Sequence, residues 1–205
     1  MDEVHISQAL PSSTLTAIDE PPEKEQIPES GIFTVVLPTA GFSVLGAVWD
    51  PVKGKGRIMA SLNPGAITSF NHENPESSIQ VYDMLVAIDD VKDEPGMAEK
   101  LKANLPEKMT LTFNRPRKVH VTIRKEGPLG LKLDYSNDSC CAMVSGINAS
   151  GMIPTWNLEH PSDAVRDGDR FVEYNGVKCA GKQMVGFIKE EKPEKDITLT
   201  VLKYE

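Results

Sequence analysis

Alternating apolar and polar positions mark the strands of this chain. Residues 33–37 ("FTVVL") and 119–123 ("VHVTI") each predict a first strand of period two. Second alternating segments run over 42–49 and 129–135. Phe42 and Val44 share a face in the first, and Leu129, Leu131 and Leu133 in the second. Hairpins follow over 50–56 and 136–140, and third strands end at Leu62 and Ile147. A short helical turn is expected from Gly65 and from Gly151, then a fourth strand after Asp83 and after Asp169. Asn175-Gly176 marks a tight hairpin, because both central residues of a type I′ turn need positive φ. Helices are predicted over 96–104, carrying Met97 and Leu101, and over 181–191, carrying Met184, Phe187 and Ile188. A last strand, "MTLTF" or "DITLTV", closes each series.

The order of elements repeats because the sequence does. Displaced by 86 residues, the stretch 65–92 falls on 151–178 without a gap, and nine of its 28 positions are identical. Gly65/Gly151, Asn71/Asn157, Pro75/Pro161 and Asp83/Asp169 are among them. Chance would give about two, so the chain is read as two similar domains in tandem, 31–116 and 117–205. Only "NRPRK" links them, which should hold them close. Each is expected to be mainly β with two short helices, an α+β unit.

Composition agrees with this division. The chain has 205 residues and is 40% apolar, enough for two small cores. Residues 1–30 are proline-rich and poor in large apolar side chains, so they are expected to be a disordered acidic tail. That tail carries most of the net charge of −8, and no basic footprint remains, which argues against nucleic-acid binding. Lys53, Lys55 and Arg57 form the strongest basic cluster. They lie in a hairpin loop, where a weak contact with a phosphate or an anionic membrane is conceivable, but the Walker pattern is absent. Cys140, Cys141 and Cys179 include no CxxC and are read as reduced thiols, with no disulfide scaffold and no metal site. No nucleophile elbow or paired-histidine motif occurs, no cofactor is implied, and the chain is read as non-enzymatic. With no secretory profile at the N-terminus and no membrane-length apolar run, the expected location is cytoplasmic.

Two segments carry a family resemblance. Pro128-Leu129-Gly130-Leu131 resembles the Gly-Leu-Gly-Phe loop of PDZ domains, and 168–176 ("GDRFVEYNG") resembles their Gly-Asp segment. The resemblance implies an adaptor that binds the C-terminal tail of a partner protein, added as an extra strand beside the second strand of the fold. It implies that the carboxylate sits on the N–H groups of Leu129, Gly130 and Leu131, with Arg124 or Lys125 assisting. Leu133, Gly181, Val185 and Ile188 would line the groove and favour an apolar last residue. The first unit departs from the pattern. Its loop is aligned as Gly41-Phe42-Ser43-Val44, lacking the second glycine, and Tyr82 and Asp89-Asp90 replace family residues. Its helix would show Pro95 and Glu99 where the second unit shows Gly181 and Val185, so Phe42, Ser43 and Val44 are a weaker site. The other reading is a structural or self-associating tandem with no free groove.

Overall fold

The alternating strands pair at the ends of each unit in this computed structural model, which describes residues 28–50 and 56–204. Residues 1–27 of the expected tail, together with Lys53 and Lys55, lie outside the described residues. In the first unit β1 (Gly31–Pro38) pairs antiparallel with β5 (Lys108–Arg115) along its whole length. Between them in the chain come β2 (Ala47–Trp49), β3 (Arg57–Leu62), α1 (Ala66–Glu73), β4 (Met84–Ile88) and α2 (Glu94–Lys102). The sheet order is β1-β5-β4-β3-β2, an open sheet with β1 and β2 at its edges.

The second unit repeats the plan: β6 (Arg117–Arg124), β7 (Leu131–Asp134), β8 (Ala142–Ile147), α3 (Met152–Glu159), β9 (Arg170–Tyr174), β10 (Val177–Lys178), α4 (Gly181–Glu190) and β11 (Asp196–Lys203). Its order is β6-β11-β9-β8-β7, with the short β10 paired to β9. The β9–β10 turn is Asn175-Gly176, both at positive φ, as its sequence requires. Among the described residues no helix is long and apolar enough to cross a membrane.

Each unit has its own core. Phe33, Val35 and Leu37 of β1 turn inward against Met97, Leu111 and Phe113. Val119, Val121 and Ile123 of β6 do the same against Met184, Leu199 and Val201. Burying one such large side chain contributes about 2–3 kcal/mol. The identities of the repeat have structural causes. The Asn71 side chain accepts from Ile79 N at 2.8 Å and donates to Ile79 O at 2.7 Å. Asn157 grips Val165 in the same way, at 2.8 and 2.9 Å. These pairs fold the long segment before the fourth strand back onto the first helix. Asp83 and Asp169 accept from Gln80 N and Arg166 N and are paired with cations of the last strands, Arg115 and Lys203.

The expected strand over 42–49 is a correction. Only Ala47–Trp49 is strand, Phe42 and Val44 face solvent, and the inward residue is Leu45. The N–H of Phe42 donates to Thr39 O at 3.1 Å, so the segment before it is a turn.

A third apolar cluster joins the units. Ile58, Tyr82 and Met84 of the first meet Cys141, Val172 and Leu202 of the second. Tyr82 takes φ 78, where its counterpart Gly168 takes φ 90. A bulky residue in that region costs on the order of 1–3 kcal/mol. Burial of the phenol against the second unit offsets this cost and pushes its pKa up to about 12. Tyr204 donates its hydroxyl to Tyr82 O at 2.8 Å, fixing the end of the second unit to the strained turn of the first. Asp50, just after β2, reaches across as well and accepts from Cys140 N at 2.6 Å.

Candidate functional site

The loop before β7 is held by its carbonyl groups. Pro128 O accepts from Met152 N at 3.1 Å, Leu129 O from Ile153 N at 2.9 Å, and Gly130 O from Asn148 N at 2.9 Å. The start of α3 therefore fixes one side of the loop backbone. Among the described residues no hydrogen bond takes up the N–H of Leu129 or of Gly130. Gly130 sits at φ 80, and a Cβ there would lie 2.5 Å from Ser150 O, so the residue must be glycine for two reasons. Consecutive N–H groups left free on a bent, pinned backbone form a nest for an anion.

Beside this loop lies a cleft of ≈ 420 Å³ between β7 and α4. Leu129, Leu131, Leu133, Val185 and Ile188 line it, with Lys125 and Lys189 at its end. Beyond β8, β7 pairs with no other strand among the described residues, so its outer edge is open to an extended chain. Lys125 donates through Nζ to Ile188 O and, at 3.1 Å, to Glu191 O. It thus caps the C-terminal end of α4, where a cation is favoured. Both acceptors are neutral carbonyls, and the Glu191 carboxylate lies close enough for the Lys125 charge to act on it.

Two expected site residues are elsewhere. Arg124 points to the other face of β6, where Nε lies 3.4 Å from Glu126 Oε1 and the side chain borders a different hollow. Strand alternation explains this, since Ile123 faces the core and Arg124 must face away. Gly181 is behind the cleft. Its N–H donates to Ser139 O at 3.1 Å, and a Cβ would overlap the Cys141 carbonyl oxygen. The first turn of α4 is therefore sealed against the β7–β8 turn. Tyr135 and Lys189 line the cleft and were not anticipated. Tyr135 continues the period-two face of Leu131 and Leu133, and Lys189 follows Val185 by four residues, so both were legible in the spacing.

Three solved structures of PDZ domains are similar to this chain. The structure of INAD PDZ45 in complex with NG2 peptide is 15% identical over 91% of this chain and 96% of that chain, at a TM-score of 0.38. The complex of INAD PDZ45 and NORPA CC-PBM is 13% identical over 89% of this chain and 96% of that chain, at 0.37. The PDZ domain from choanoflagellate GIPC is 20% identical over 43% of this chain and 92% of that chain, at 0.36. No protein-family model and no curated protein matches the chain.

The equivalent loop of the first unit is not where the sequence alignment placed it. Ala66 N donates to Val44 O, Ile67 N to Leu45 O and Asn63 N to Gly46 O, at 3.2, 3.0 and 2.7 Å. These three bonds repeat those of Pro128, Leu129 and Gly130. The counterpart of Leu129-Gly130 is thus Leu45-Gly46, and Gly46 takes φ 82. Neither Leu45 nor Gly46 has its N–H taken up among the described residues. Phe42, Ser43 and Val44 were misplaced because the first unit spends two more residues between its first strand and this loop. Thr39 N donates to Glu107 O as Lys125 N does to Lys195 O, which makes Thr39 the counterpart of Lys125. The helix alignment shifts by one residue. Met97 N donates to Asp93 O and Met184 N to Ala180 O, both methionines being buried, so Ala98 rather than Glu99 stands at the Val185 position. Glu94, not Pro95, matches Gly181, and it pairs with Arg57 at 2.6 Å. Arg57 is thereby engaged within the first unit.

Proposed function

We propose that the protein is a non-enzymatic interaction module that binds the C-terminal end of a partner polypeptide in the cleft of its second unit. The peptide would add to the open edge of β7 and place its carboxylate on the N–H groups of Leu129, Gly130 and Leu131. Its last side chain, apolar, would enter between Leu131, Leu133, Val185 and Ile188. The observation that carries this reading is the hydrogen bonding of the loop: its carbonyls are taken up by the start of α3 and by Asn148, the N–H groups of Leu129 and Gly130 have no partner among the described residues, and an apolar cleft with Lys125 at its end lies beside it. Main-chain pairing supplies affinity that is indifferent to sequence, and the pocket and the carboxylate site supply selectivity.

A second reading is favoured by Asp50. The end of β2 is spent on contact with the second unit, which suits the first unit to a structural role. In that case the pair is one binding site with a companion that holds it.

The test is a C-terminal peptide library on the full chain, with Leu131→Lys as control. Enrichment of apolar last residues, lost in Leu131→Lys, is expected. Enrichment that persists in that variant would overturn the assignment of the cleft.

A further inference from the structure

The contact between the units contains a cluster that the peptide site does not use. Asp50 of the first unit meets Cys140 and Cys141 of the second, with one carboxylate oxygen and the two sulfurs all within 4.8 Å of one another. The Asp50 side chain is fully buried, Cys141 is buried, and Cys140 is half-buried. We propose that this cluster is a binding site for zinc or a similar thiophilic divalent cation, and that the ion fastens the two units together.

The spacing fits. Zinc bound tetrahedrally at about 2.3 Å from sulfur and about 2.1 Å from oxygen sets those ligand atoms about 3.6 Å apart. Cys141 Sγ lies 3.8 Å from Asp50 Oδ2. The donor set of two thiolates and a carboxylate suits a borderline-soft ion better than magnesium or calcium, which take oxygen ligands. Three protein ligands leave a fourth position, on the Cys140 side, for water.

Charge balances in the metal-bound state. Arg170, 2% exposed at its side chain, has Nη1 3.5 Å from Cys141 Sγ and 3.7 Å from Asp50 Oδ1. Without metal its single positive charge stands beside the Asp50 carboxylate. With metal, the two thiolates and the carboxylate are offset by the dication and the guanidinium together, so the bound state buries no net charge, which a low-dielectric interface would penalise. Arg170 then donates to the Cys141 thiolate as an outer partner that orients the ligand. The backbone N–H of Cys140 already holds Asp50 Oδ2 at 2.6 Å, so the ligands need little reorganisation.

No spacing rule applied to one stretch of chain would find this site. The cysteines are adjacent and lack a CxxC partner, and the third ligand lies 90 residues upstream. The expectation of no metal was drawn from Cys spacing alone, and the fold supplies what the spacing lacks.

The experiment titrates the reduced full chain with cobalt(II) and reads sulfur-to-cobalt charge-transfer absorption, then displaces cobalt with zinc. One equivalent should saturate the band, and zinc should abolish it. Cys140→Ser should lose most of the band while its far-ultraviolet circular dichroism stays as in the parent. Cys179→Ser, whose thiol lies in the core of the second unit, should keep the band. Zinc should raise the thermal midpoint of the parent and leave that of Cys140→Ser unmoved. Absence of the band in the folded, reduced parent, an undiminished band in Cys140→Ser, or its loss in Cys179→Ser would each overturn the proposal.

Discussion

The two units build one loop twice and furnish it differently. In both, a Leu-Gly step is fixed through the Leu carbonyl to the start of the first helix and through the Gly carbonyl to an Asn after the third strand, and its N–H groups have no partner among the described residues. What differs is the surroundings. The second unit has Lys125 beside its loop, a four-residue edge strand and an apolar cleft. The first has Thr39 in place of that lysine, its hydroxyl bonded to Pro106 O at 2.5 Å, and an edge strand of three residues. Its second strand then runs into the contact with its neighbour. The two units thus share the loop's backbone geometry and differ in the cation beside it.

The largest effect expected concerns the contact between the two units. Asp50→Ala leaves the Arg170 guanidinium buried without its carboxylate and should cost about 3–5 kcal/mol. Urea denaturation followed separately by Trp49 and Trp156 fluorescence should then show the units unfolding apart. A single coincident transition with unchanged midpoint would mean that the contact does not couple them.

The equivalence of the loops can be broken next. Gly46→Ala and Gly130→Ala each force a side chain into positive φ against a backbone carbonyl, and each should lose about 2–3 kcal/mol. Were Gly46→Ala neutral while Gly130→Ala is not, the alignment of Leu45-Gly46 with Leu129-Gly130 would fail. Asn71→Ala and Asn157→Ala sharpen the same symmetry. Each removes two side-chain hydrogen bonds, about 2 kcal/mol, and chemical denaturation should give equal losses within about 0.5 kcal/mol.

The smallest effect isolates the cation. Lys125→Thr gives the second unit the residue of the first and should weaken binding of a free-carboxylate peptide about tenfold, roughly 1.4 kcal/mol. Calorimetry showing full affinity in that variant would remove Lys125 from the account.

Much of this was legible in the sequence, and the failures have physical reasons. Period-two runs located β1 and β6, because each of those strands has one buried and one exposed face, whereas β11 is buried on both faces from Leu199 onward. The repeat aligned without a gap over 65–92, where the Asn and Asp side chains hold both units to the same length. It slipped before that, where a surface loop absorbed two extra residues at no cost to the core. Phe42 and Val44 imitated a strand face because exposed apolar residues in a turn look the same as buried ones in a string of letters. Leu131, Leu133, Val185 and Ile188 were legible because one strand face and one helix face converge on the cleft. Gly181 and Arg124 were not, since the position of a helix start and the direction of a strand's last residue depend on partners far along the chain. The meeting of Asp50 with Cys140 and Cys141 depends on how two folded units pack, which no local pattern encodes.

The central claim is capture of a terminal carboxylate by the loop of the second unit. The direct measurement is calorimetric binding of the best library peptide to the full chain, as its free acid and as its C-terminal amide. The account predicts that amidation, which removes the negative charge and one oxygen, weakens binding at least about a hundredfold, roughly 2.7 kcal/mol. Equal affinity of the two forms would contradict it.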